Sequence, residues 1–193
     1  MIAYKGFDHD LTSIMGDGKE KNCSFHLGET KEVPSSKTAV NGFHCCENIT
    51  DCMTYYDWDG TNRFFKVAAN GDIDEDASDR IACTKITLLE ELDQKGICLA
   101  IMMYMINHPL RDGWQCRRQN IDVSKEAAST DSPIGIAVAR GMFPVVKGRS
   151  GSVVGIIAED ENGLIQDAHL AVVSGDWSRK WLRYHHGWEV VHE

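Results

Sequence analysis

The sequence predicts an α+β fold, a mixed sheet with two helices over residues 1–110 followed by a β-rich unit of β-roll or hairpin type over residues 121–193. Three observations carry that expectation. Runs of β-branched and aromatic residues, such as IAYKGF at 2–7 and RFFKVAA at 63–69, are separated by polar glycine-containing loops. Two stretches carry helix-start signals, Asn48 with Asp51 three residues on and Thr87 with Glu90 three residues on. Past Asp122, glycines at 135, 141, 148 and 151 divide short apolar pieces. That spacing suits a turn or two of a β-solenoid, or an ordinary glycine-rich connection.

Taken in order, residues 2–7 form a first strand, and the polar stretch 8–22 a loop. Residues 25–33 alternate weakly as a half-exposed strand, Pro34-Ser35-Ser36 breaks it, and 39–45 makes a short third strand. A helix capped by Asn48 would carry Ile49, Cys52, Met53 and Tyr56 on one face. Residues 63–69 are a buried strand, Asn70-Gly71-Asp72 a turn, 72–79 an acidic loop and 80–86 a further strand. The Thr87 capping box then opens a long helix to about Asn107, whose second half, ICLAIMMYMI, is apolar all round and calls for burial in the core or in a subunit interface. Two hairpins end the chain, one turning at Asp160-Glu161-Asn162-Gly163 and one at His185-His186-Gly187.

Composition narrows the function classes. With 193 residues, 42% hydrophobic and 25% charged, the chain is long enough for a core without metal or disulfides. A net charge of −9 disfavours nucleic acid and anionic membrane, which both require a basic face. The odd count of seven cysteines and the absence of a basic-then-apolar leader favour reduced thiols and a cytoplasmic location. The longest apolar run, residues 97–106, is too short to span a bilayer.

The segment 41–56, NGFHCCENITDCMTYY, gathers more chemically capable side chains than any other. With Tyr4-Lys5-Gly6-Phe7 ahead of it, the chain resembles an uncharacterised domain of bacteria and their phages that opens YKGF and carries a GFHxCENPxDxxxYY-like segment. Ile49-Thr50 stands where that family often has proline. The resemblance covers roughly residues 1–95 and implies a phage or mobile-element accessory protein, an anti-defence candidate. Its repeats in relatives resemble the β-roll heads of trimeric adhesins, implying a homo-oligomer, in the limit a trimer.

Two function classes follow. The first is a non-catalytic protein-interaction module acting on a host or defence protein, with Trp177, Trp181, Tyr184 and Trp188 as a binding face or, equally in kind, as the core of a small β unit. The second is an NAD-using enzyme, because the Y-K-G strand and the G-F-H strand-to-helix junction resemble the ADP-ribosyltransferase fold. Tyr4, Lys5, His44 and Tyr55 or Tyr56 would then line the site. That chemistry needs a carboxylate to stabilise an oxocarbenium-like transition state, and Glu75, Asp76, Asp79, Glu90 and Glu91 sit on no late strand in an E-x-E context. Whether the chain is an enzyme stays open on sequence.

Thiol chemistry and zinc are weaker options. Cys45 or Cys46 with His26 or His44 gives no third orienting residue. Neighbouring ligands at 45 and 46 would point to opposite faces of a strand. No metal and no cofactor is therefore expected.

Overall fold

A computed structural model of the chain describes residues 1–14, 21–75 and 79–191, the side chains of Ile14, Lys21 and Asn22 excepted. The chain divides into two compact units, Met1–Asp93 and Gln94–Glu193. With 50% strand against 12% helix, both are mostly β, which corrects the α+β expectation.

The first unit holds β1 (Ile2–Phe7), β2 (Thr12–Ile14), β3 (Lys21–Ser24), β4 (Thr30–Glu32), β5 (Phe43–Cys45), α1 (Ile49–Cys52), β6 (Arg63–Glu75) and β7 (Ile81–Leu92). β1 pairs antiparallel with β6, β6 with β7, and β7 carries both β4 and β5 on its other edge. Tyr4 and Cys46 then exchange both backbone hydrogen bonds, each at 2.8 Å. The strand order β1-β6-β7-β5 thus returns on itself around one core, in which Phe7, Phe25, Phe43, Phe65 and Leu88 meet. Closure leaves no free edge on β1 and buries one face of β1, β5 and the first half of β6.

Two expectations fail in this unit, for local reasons. Asn70-Gly71-Asp72 is not a turn. It is a bulge within β6, where the register against β7 shifts, Gly71 takes φ 75° and the Asp72 N–H donates to Thr84 Oγ1. Nor does Thr87-Leu88-Leu89-Glu90 open a helix, because these residues finish β7. Thr87 meets Thr30 across the ladder, Glu90 lies opposite Lys66, and Glu91 takes a two-pronged bond from Arg63 at 2.6 Å. Cross-strand pairs of this kind stabilise a strand, and Leu88 buried beside Leu89 exposed is strand alternation. The expected strand at 25–33 shrinks to β4, and the helix capped by Asn48 to the single turn α1.

The second unit begins with α2 (Gln94–Asn107) and continues through β8 (Cys116–Arg118), β9 (Ile121–Ser129), β10 (Ile136–Lys147), β11 (Val153–Glu159), β12 (Ile165–Val172), β13 (Trp181–Tyr184) and β14 (Trp188–Val190). β9, β10 and β11 run parallel, with Ile121, Ile136 and Val153 side by side. Connections this short join parallel neighbours only because each strand bends: Glu126 adopts φ 61°, and the register jumps across residues 141–144. The Glu126 carboxylate accepts the N–H groups of Met142 and Phe143, and Gly141 leaves it room. The hairpins β11–β12 and β13–β14 stand where the turn residues place them. α2 packs on β11, where the missing side chain of Gly155 admits Met102. The helix is not buried all round, since Leu99 and Met103 face solvent.

Candidate functional site

The two motifs interlock residue by residue. In β1 the odd positions Ala3, Lys5 and Phe7 face the core, and Tyr4 and Gly6 face α1. A side chain on Gly6 would strike the Tyr56 ring, with a built Cβ only 2.7 Å from Cδ2, so glycine there is what lets Tyr56 lie against the strand. Gly42, at φ 86°, turns the chain into β5, and Asn48 caps α1 by accepting the Thr50 N–H. Lys5 reaches across to donate from Nζ to the His44 carbonyl oxygen at 2.8 Å. YKGF and GFHxCEN therefore build one corner together.

That corner encloses a cavity of about 560 Å³. Lys5, His44, Tyr55, Tyr56 and Arg80 supply its polar wall, with Ser13 and Thr54, and Phe43, Cys45, Cys46 and Cys52 its floor. The size falls within the usual range for small-molecule sites. Among the described residues, the wall contains no carboxylate.

Its groups are already tied to backbone or to each other. Ala39 donates its N–H to His44 Nε2 at 3.0 Å, which fixes the neutral tautomer with the proton on Nδ1 and occupies the lone pair a general base would use. The Cys45 and Cys46 thiols are pushed up, first by the hydrogen bonds that tie them to Cys83 and Cys52 and then by burial, so they stay protonated and inert. Burial also raises Tyr56. Lys5 is lowered by burial, against which the neighbouring thiols act weakly. Arg80 lies over the Tyr55 ring at 5.6 Å and keeps Asp79 at 3.7 Å.

Of the residues nominated from sequence, Lys5, His44 and Tyr56 come together in the cavity wall. Tyr4 does not line it and instead holds Cys46 and Cys52 through its backbone. Arg80, just ahead of β7, was missed, since its sequence neighbours carry no signal of the cavity. The expected carboxylates lie elsewhere. Asp79 stands beside the wall, 3.7 Å from Arg80, Glu75 ends β6 opposite Ile81, Glu91 is held by Arg63, Glu90 is exposed, and Asp76 lies outside the described residues. No group of three His, Cys, Asp or Glu side chains among the described residues is placed to hold a metal ion. His26 is exposed.

In the second unit, Trp177, Tyr184 and Trp188 pack against the buried Ala137, Val146 and Leu182. His169 stacks on Tyr184 at 3.3 Å between ring centroids and bonds Asp167 at 2.7 Å. Trp181 is half-buried under the Lys147 ammonium at 4.8 Å.

A family model described as a domain of unknown function, DUF7666, matches residues 1–100. Comparison with curated proteins and with solved structures finds no match in either.

Proposed function

The chain belongs to the DUF7666 family, and we propose that this domain is a non-catalytic binding module whose cavity recognises a ligand without transforming it. The single observation that carries the reading is the state of His44. Its Nε2 is spent on the Ala39 N–H, inside a wall that offers no described carboxylate and whose Cys45 and Cys46 thiols are protonated. A site for acyl, glycosyl or ribosyl transfer needs an available base or a charge-stabilising carboxylate.

The transferase reading has one observation in its favour: the cavity joins Lys5, His44 and Tyr56, the residues that resemblance would place around NAD. Chromatographic assay of nicotinamide released from NAD by the full chain decides between the two. A binding module gives background release in wild type and His44→Ala alike. Release that disappears in His44→Ala establishes the enzyme instead. The wider setting, a phage or mobile-element accessory protein that meets a host or defence protein in the cytoplasm and self-associates, rests on the motif resemblance and the acidic charge. Co-purification of one partner at fixed stoichiometry, lost when the cavity is altered, tests it.

A further inference from the structure

We infer that the cavity of the first unit is an anion site, and that the ligand it takes is a small phosphate-bearing molecule whose charge becomes the counter-ion of Lys5. The inference rests on the binding reading above and adds the ligand's chemistry.

Three observations carry it. Lys5 is 8% exposed and lines the cavity, and among the described residues the one hydrogen bond its Nζ makes is to the His44 carbonyl. The Phe7 and Phe25 rings lie 5.3 and 6.0 Å from Nζ, and Cys45, Cys46 and Cys52 line the same cavity. An ammonium removed from water without an anion is costly, and such a group normally loses its proton or finds a partner. Here the open side of the lysine is the cavity. The second observation is Arg80 in the same wall, a planar fork suited to phosphate oxygens, with Asp79 at 3.7 Å. The third is sign. In a chain of net charge −9, this wall presents two cations and, among the described residues, no carboxylate, against the charge of the whole molecule. Tyr55 and Tyr56 add flat apolar faces beside the cations, so a ring attached to the phosphate has a place to lie.

Binding is coupled to protonation. An anion at Nζ opposes the desolvation that lowers Lys5, so the complex holds the proton more firmly than the free protein, and affinity falls as pH rises through the titration of the amine.

Calorimetric titration of the full chain with pyrophosphate, adenosine 5′-monophosphate and adenosine separates charge from ring. Saturable one-to-one binding of pyrophosphate and of the monophosphate is expected, with none of adenosine. Lys5→Met and Arg80→Gln each weaken it by at least about tenfold, the worth of one charge-assisted hydrogen bond. Near-ultraviolet circular dichroism of the two variants, unchanged from wild type, attributes that loss to the site and not to unfolding. Adenosine binding as well as the monophosphate, phosphate binding undiminished in Lys5→Met, or no binding of either phosphate overturns the anion site. The nicotinamide assay is independent of these outcomes, so a failed anion site and a failed binding-module reading leave different records.

Discussion

Among the described residues each unit buries one cation, and the two are solved in opposite ways. Arg140 in the second unit is 5% exposed, but Glu159 meets its Nε at 2.6 Å, the Pro109 carbonyl takes Nη2 at 2.7 Å, and the Trp114 ring lies 5.4 Å away. Lys5 in the first unit is as deeply placed and has a carbonyl, two phenylalanines and a cavity. A buried charge with its own carboxylate is a structural tie whose cost is met within the chain. One that faces an open cavity instead leaves a place for an anion brought from outside. The difference separates architecture from site more reliably than residue type does.

The strongest way to break this comparison is to strip Arg140 of its partner. Glu159→Ala leaves a buried guanidinium uncompensated and is expected to destabilise the second unit by about 3 kcal/mol, read by urea unfolding. A change near zero would mean that the pair is not structural. Gly6→Val comes next, because the new side chain meets the Tyr56 ring and forces the cavity wall open. Its cost is about 2 kcal/mol, and phosphate affinity should fall with it. His44→Ala removes the acceptor of the Ala39 N–H, a loss of about 1 kcal/mol.

Smallest is Lys5→Met, expected to shift stability by less than about 1 kcal/mol at neutral pH, since relief of desolvation offsets the lost bond to the His44 carbonyl. Its pH dependence carries the sign. Burial puts the folded lysine below the ordinary 10.5, so between the two values the unfolded chain binds more protons. Wild-type stability therefore gains as pH rises through that window, and the cost of burying the charge is fully felt only below the folded value. Lys5→Met lacks this gain, so the two unfolding curves should diverge in favour of wild type toward alkaline pH.

The corner that forms the site was legible because residues 41–56 gather chemically capable side chains behind a cap, and Asn48 does cap α1. The close approach at Gly6 and the positive φ at Gly42 show only in the structure. Fold class was not legible, because local signals were overruled by pairing. The Thr87 box has the residues of a helix start, and only the partners across the sheet, Thr30, Lys66 and Arg63, make it a strand. Asn70-Gly71 likewise has turn chemistry that a bulge uses equally well. Trp177 and Trp188 pack against the core of the second unit while keeping part of their surface in solvent, a division that composition cannot show. Arg80 was invisible because nothing near it in sequence says that it shares a wall with Lys5.

The charge state of the Lys5 amine decides whether the cavity takes an anion, and it can be read directly. Following the Lys5 side chain by NMR through a pH titration, with and without pyrophosphate, should give a pKa below 10.5 in the free protein that moves upward when the anion is added. A free value at or above 10.5, or one indifferent to pyrophosphate, would contradict a lysine that waits for its counter-ion.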